Sequence, residues 1–121
     1  MPVIFVNGLP KDMTQQALKS LWENMYAAVT DVKELGFNRP EDVTFWFIPD
    51  LWDFGLGEEI ITILVFGLFD KPERTPEVRA RMADNLTSII REFFPAVKMG
   101  ECIIYPFNPV WGFSSFEKSV K

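Results

Sequence analysis

Apolar residues recur along this chain at two spacings, which predict two kinds of secondary structure. Four short segments are apolar at nearly every position and are typical of buried strands. They span residues 3–7, 43–48, 60–69 and 102–107. Two longer segments repeat apolar residues every three or four positions, which predicts two helices that each bury one face. The predicted order is therefore β-α-β followed by a second β-α-β.

Residues with strong preferences at helix ends set the limits of both helices. Asp12 predicts the N-cap of the first helix, with Gln15 three residues later as in a capping box. Gly36 is a natural stop for that helix. Thr75 at the N-cap and Pro76 at the first helical position predict the start of the second helix.

This order of elements predicts an α/β (α+β) fold. A β-α-β unit normally joins two parallel strands by a right-handed crossover. Two such units predict a four-stranded sheet with both helices on one face. With 121 residues, the chain is predicted to be a single domain over 1–121, with a pseudo-repeat over 1–57 and 58–121.

The predicted strands are apolar on both sides, although two helices can cover only one side of a sheet. Residues 3–6 and 45–48, for example, contain no polar position. The second face must then be buried by something outside this chain, and another copy of the same sheet is the simplest cover. Closed symmetric oligomers are the usual result of such self-association.

Composition excludes several classes of function. A net charge of −5 argues against a nucleic-acid platform and against an anionic membrane surface as partner. The absence of histidine excludes histidine-dependent triads and histidine-bearing zinc sites. No apolar run reaches the roughly 20 residues of a membrane span, and no signal-peptide pattern is evident. We expect a cytoplasmic protein with no cofactor, no metal, no nucleic acid and no membrane partner.

A mixed-charge connection links the third strand to the second helix. It contains Asp70, Lys71, Glu73 and Arg74 within five residues. Because charged side chains are rarely buried, we expect this connection to face solvent.

The chain begins Met1-Pro2, directly ahead of an apolar strand. If Met1 is removed, Pro2 becomes a free secondary amine fixed at the end of that strand. The alternative is that Pro2 only fits a strand end, where its missing N–H is harmless.

The order of these features resembles the tautomerase superfamily, whose members use an N-terminal proline. The similarity to the branch typified by macrophage migration inhibitory factor lies in residues 2–7, Leu9-Pro10-Lys11, Arg39-Pro40, Ile48-Pro49-Asp50 and Phe54-Gly55. Residues 61–67 and Ile103-Ile104-Tyr105 also resemble small bacterial tautomerase-like proteins of unassigned function. The resemblance implies a homotrimer whose sheets enclose a central barrel, which agrees with strands that are apolar on both sides.

The resemblance also implies an isomerase in which Pro2 is the general base for keto–enol proton transfer on a small 2-keto acid. An apolar pocket or a nearby cation lowers the pKa of an amine, and a base works best with a pKa near the working pH. An apolar residue near Phe45 replaces the strand arginine that binds dicarboxylates in 4-oxalocrotonate tautomerase. An aromatic or apolar substrate is therefore favoured over a dicarboxylate.

Five more residues are candidates for substrate binding: Lys11, Arg39, Phe66, Tyr105 and Trp111. Either cation could hold a carboxylate, the tyrosine could supply a hydroxyl, and the two other aromatic residues could form apolar walls. Each also fits a plain structural role on the surface, in the core or at an interface. Two other functions stay open: a hydratase, dehalogenase or decarboxylase-type relative, and a non-catalytic oligomeric binding module with the same fold.

Overall fold

The computed structural model describes residues 2–52 and 60–118. Met1, most of the loop predicted over 51–57, and the Phe54-Gly55 motif lie outside the described residues. Within those limits the chain forms the elements β1 (Val3–Leu9), α1 (Gln15–Thr30), β2 (Thr44–Pro49), β3 (Ile60–Phe69), α2 (Pro76–Phe93) and β4 (Met99–Phe107). Short 3₁₀ turns occupy Lys33–Leu35, Pro40–Asp42 and Pro109–Trp111.

The four strands form one mixed sheet in the order β2-β1-β3-β4. Strand β1 is parallel to β2, and β3 is parallel to β4, as two β-α-β units require. The two units meet where β1 pairs antiparallel with β3. The predicted α+β fold, with two β-α-β units and a four-stranded sheet, is confirmed.

Helix α1 begins two residues later than predicted. The side chain of Thr14 accepts the backbone N–H of Ala17 at 3.1 Å, so Thr14, not Asp12, is the N-cap. The helix also ends early, at Thr30, and the chain reaches Gly36 through a 3₁₀ turn. The prediction of one helix up to Gly36 was wrong because the same apolar spacing continues through that turn.

Helix α2 begins where its sequence predicts. The Thr75 hydroxyl accepts the N–H of Val78 at 3.3 Å, and Pro76 is the first helical residue. One face of each helix then packs on the same side of the sheet. The helix residues with no or almost no exposure are Leu21, Met25, Val29, Met82, Leu86 and Ile90, and the sheet residues opposite them are Ile4, Val6, Ile61, Ile63 and Val65.

The second side of the sheet, which we call the open face, has three rows of residues that cross all four strands. The rows are Thr44, Val3, Phe66 and Tyr105; Trp46, Phe5, Leu64 and Ile103; and Ile48, Asn7, Thr62 and Glu101. Large apolar side chains here stay exposed, with Trp46 at 56% and Phe66 at 40%. In the third row Ile48 is apolar, whereas the other three residues are polar and hydrogen-bonded: Asn7 donates to the Thr62 carbonyl, and the Thr62 hydroxyl donates to Glu101.

Two glycines interrupt the alternation of faces in the central strands. Gly8 (φ 92°) and Gly67 (φ 74°) lie where the pairing register of β1 with β2, and of β3 with β4, shifts. Each adds one unpaired residue, which is a β-bulge, and a left-handed φ favours glycine at such a position. As a result Leu9 and Leu68, which strict alternation would place on the open face, are buried in the core.

Candidate active site

A pocket of about 180 Å³ lies where β1 begins, and Pro2 is part of its wall. The other lining residues are Gly36, Phe37, Asp42, Phe69, Lys71 and Arg74. Pro2 is buried, and its carbonyl oxygen accepts the Thr44 N–H at 3.1 Å. This bond extends the β1–β2 pairing by one residue before β1 begins, so the backbone of Pro2 is held by the sheet.

Arg74 is buried in this pocket at 7% exposure, which corrects the expectation that the whole charged connection faces solvent. Its Nη1 donates to the carbonyl oxygen of Phe69 at 2.8 Å, and its Nη2 to that of Leu35 at 2.6 Å. Those carbonyls end β3 and a 3₁₀ turn, so each needs a donor that the backbone there does not supply. The guanidinium also lies 5.3 Å from the Phe37 ring centroid. The other charged residues of the connection are exposed, as expected.

The Asp42 carboxylate closes a tight backbone turn at the pocket. It accepts the backbone N–H groups of Asn38 (2.8 Å) and Arg39 (3.0 Å), and the Arg39 guanidinium lies 3.2 Å away. The two backbone N–H donors, and then the Arg39 side chain, lower the pKa of Asp42. Asp42 is therefore a carboxylate at neutral pH and serves poorly as a proton donor.

Aromatic rings form the apolar part of the pocket wall. Phe37 is buried and Phe69 is half-buried. The Phe69 ring packs edge-on against Phe113, with ring centroids 4.9 Å apart. An apolar wall of this kind disfavours a charged amine and accepts an apolar substituent.

The predicted binding residues lie in several places, and none of them lines the Pro2 pocket. Arg39 is exposed and reaches it only through Asp42. Phe66 and Tyr105 stack on the open face, with ring centroids 4.7 Å apart. Trp111 is exposed beyond β4, beside Phe107. Lys11 follows the far end of β1, about 20 Å along the strand from Pro2.

Sequence reasoning did not find five residues of the pocket: Phe37, Asp42, Phe69, Lys71 and Arg74. Arg39 and Asp42 carry a recognisable signal, because an acid three residues after a helix-start position often accepts backbone N–H groups. Lys71 and Arg74 carry none, since a charged loop is ordinarily solvated.

The only thiol of the chain lies away from the pocket. Cys102 is on the helix-covered side of β4, opposite Ile63 of β3. Burial raises its pKa to about 12, so the thiol is protonated at neutral pH. Cys102 is therefore not an activated nucleophile.

Neither a membrane span nor a metal cluster is found in the described ranges. Neither α1 nor α2 combines the length and apolar character needed to cross a bilayer. Within residues 2–52 and 60–118, no three side chains of His, Cys, Asp or Glu come close enough together to hold a metal ion.

Several solved structures of tautomerase-superfamily proteins share this fold. A fused wild-type 4-OT, described as an asymmetric trimer, is 16% identical over 89% of this chain and 88% of that chain, with a TM-score of 0.69. A macrophage migration inhibitory factor-like protein from Entamoeba histolytica is 11% identical over 93% and 95%, with a TM-score of 0.65. The FG41 malonate semialdehyde decarboxylase is 18% identical over 96% and 91%, with a TM-score of 0.61.

These likenesses show the fold. The expected resemblance to the tautomerase superfamily is confirmed at that level, since all three neighbours belong to it. No protein-family model and no curated protein matches the sequence.

Proposed function

We propose that this protein is an isomerase in which Pro2, freed by removal of Met1, is the general base for keto–enol proton transfer on a small 2-keto acid. One observation carries the proposal. Pro2 is buried in a pocket that also holds two cations, Lys71 and Arg74, and two aromatic rings, Phe37 and Phe69. The positive charge of the pocket suits the carboxylate of a 2-keto acid, and the rings suit an apolar or aromatic substituent.

The proposed chemistry needs only the amine and the pocket. The Pro2 nitrogen takes a proton from the carbon next to the carbonyl and returns it to the oxygen, or the reverse. Burial and a neighbouring buried cation disfavour the ammonium form and keep the amine available as a base. Negative charge develops on the oxygen as the proton leaves carbon, and a cation stabilises that charge.

A second function is favoured by Asp42. A hydratase, dehalogenase or decarboxylase-type reaction requires an additional acid or cation pair beside the proline, and Asp42 lines the same pocket. Its lowered pKa keeps the carboxylate ionised, which fits a role in orienting water by hydrogen bonding, not in donating a proton. This second function predicts that an Asp42→Asn variant loses hydratase activity but keeps keto–enol tautomerase activity.

We further propose that the active protein is a homotrimer assembled through the open face. The exposed apolar rows of that face support self-association, and 4-OT neighbours of the same fold are trimers. Within one chain Lys11, Phe66, Tyr105 and Trp111 lie outside the Pro2 pocket. We therefore propose that they contact substrate in the pocket of a neighbouring copy.

The decisive experiment combines an intact mass with an activity assay. The mass shows whether Met1 is absent, as a free Pro2 amine requires. Ketonisation of phenylpyruvate or hydroxyphenylpyruvate is then measured for the wild type, Pro2→Ala and Pro95→Ala, an exposed proline beyond α2 that controls for proline loss. We expect a loss of roughly 100-fold or more in kcat/KM for Pro2→Ala only. Equal rates for all three proteins would leave the non-catalytic binding module as the better reading.

Light scattering tests the assembly separately. We expect a mass of three chains at micromolar concentration. A stable monomer would contradict the proposed trimer without affecting the fold.

A further inference from the structure

Arg74 is the one charged side chain that is buried in residues 2–52 and 60–118. Its Nε has no acceptor among those residues, and no acidic side chain there forms an ion pair with it within 4 Å. A buried guanidinium without a carboxylate partner is costly for folding. Its presence beside Pro2 therefore suggests a role in the pocket itself.

The guanidinium connects the two walls of that pocket. Leu35, which accepts from Nη2, is followed by Gly36 and Phe37 of one wall. Phe69, which accepts from Nη1, belongs to the other wall. The Phe37 ring packs against the same guanidinium at 5.3 Å. Loss of this side chain would release both walls at once.

Lys71 is the second cation of the pocket, and it differs from Arg74 in its exposure and in the freedom of its charged group. It is exposed, and its ammonium is carried on a long flexible stem that can follow a ligand. The Arg74 N–H donates to the Lys71 carbonyl at 3.0 Å, so one turn presents both cations. The two terminal nitrogens of Arg74, in contrast, are already held by carbonyl oxygens.

We infer that Arg74 is a positioning residue of the Pro2 pocket, which holds both walls in place and supplies a fixed positive charge, whereas Lys71 binds the substrate carboxylate. This inference rests on the proposed use of Pro2 as a base. A fixed cation opposes protonation of a nearby amine. The charge of Arg74 is screened less than that of Lys71 because Arg74 is out of water. Asp42, the third charged side chain lining the pocket, acts in the opposite direction on the amine.

The first test titrates the Pro2 amine directly by nitrogen NMR. Met1 is removed from each purified protein with a methionine aminopeptidase, and the mass confirms the free amine. In Arg74→Gln we expect the pKa of Pro2 to rise by about one unit, because the opposing charge is gone. Arg91→Gln, which neutralises an exposed arginine in the last turn of α2, should leave it unchanged. An unchanged Pro2 pKa in Arg74→Gln would overturn the inference.

The second test separates the charge of Arg74 from its two hydrogen bonds. Arg74→Lys keeps the charge but cannot reach both carbonyls, so we expect the Pro2 pKa to stay near that of the wild type while kcat falls roughly tenfold. Lys71→Met should instead raise KM roughly tenfold and leave the pH profile unchanged. A kcat equal to that of the wild type in Arg74→Lys would contradict the positioning role. This test does not depend on Arg74→Gln, so it remains decisive if that variant fails to fold.

The two proposals fail in different ways. The titration uses no substrate, so its result stands even where Pro2→Ala retains full activity and the proposed function is wrong. An Arg74 variant that raises KM alone, with no change in the pH profile, would make Arg74 a substrate ligand and would overturn only this inference.

Discussion

Apart from the polar row of the open face, the two faces of the sheet are both rich in large apolar side chains, and their surroundings are opposite. On the helix-covered face, Ile4, Ile63 and Val65 have no exposure. On the open face, Trp46 and Ile103 remain more than one-third exposed. The difference in exposure between these apolar residues comes from the helices that cover one face, because alternate residues of the same strands supply both faces. An apolar strand residue therefore stabilises the monomer on one face and is available for association on the other.

Truncation of the covered face should have the largest effect. Ile63→Ala removes three carbons from a site without exposure, and the resulting cavity should lower the free energy of unfolding by about 2–5 kcal/mol. Urea unfolding in dilute protein measures this loss. Ile103→Ala, on the open face of the adjacent strand, is the matched control and should cost less than about 1 kcal/mol in the monomer. Equal losses would mean that the two faces are equally covered.

A charge on the open face should break the proposed trimer and spare the fold of the single chain. Trp46→Glu places a carboxylate where a second copy would cover it, and an unpaired buried charge costs about 3–5 kcal/mol. We expect association to weaken by roughly 100-fold or more. Light scattering gives the mass, and circular dichroism checks that the fold is retained. Ser88→Glu, on the exposed side of α2, should change neither.

Thiol labelling compares the faces at neighbouring positions. With a pKa of about 12, Cys102 should react with iodoacetamide at pH 8 roughly 100-fold more slowly than an ordinary thiol, and faster as pH rises toward that pKa. An Ile103→Cys variant in a Cys102→Ala chain should react rapidly in dilute protein. It should react more slowly at concentrations where a second copy covers the open face. Fast labelling of native Cys102 at pH 8 would show that the helix-covered face is accessible.

The smallest effect on stability is expected from removal of an exposed ion pair, because water screens its charges. Arg81 of α2 donates to the Glu34 carboxylate, and this bond lowers the pKa of Glu34 from its ordinary value of 4.5. A lowered pKa stabilises the fold above the ordinary value, and the effect is lost as pH falls through the folded value. Glu34→Gln should therefore lower Tm only slightly at pH 7 in low salt and not at all at pH 2. A Tm difference between the two proteins that is larger at pH 2 than at pH 7 would contradict this pH dependence.

The fold followed from the sequence because its determinants are local and repeated. The apolar runs, the Thr75-Pro76 helix start and the two-sided strands each depend on neighbouring residues, and together they specify β-α-β twice. The end of α1 at Thr30 did not follow, since the same apolar spacing continues through a 3₁₀ turn.

The pocket followed from the sequence only at Pro2. Its cations come from a connection more than 60 residues further along, and that connection has the composition of a solvated loop. What buries Arg74 is a pair of carbonyl groups, on Leu35 and Phe69, that lack backbone donors. Such acceptors exist only once the chain has folded, so no local pattern could reveal them.

The bulge at Gly67 has a consequence for how distant relatives are aligned with this chain. It shifts the phase of β3 by one residue, so that Leu68 enters the core and Phe69 reaches the pocket wall. An alignment that places a gap one residue too early or too late would exchange a core position for one in the pocket wall. At identities of 11–18%, positions beyond residue 67 are therefore best matched by superposed backbones, with the glycine as the reference point.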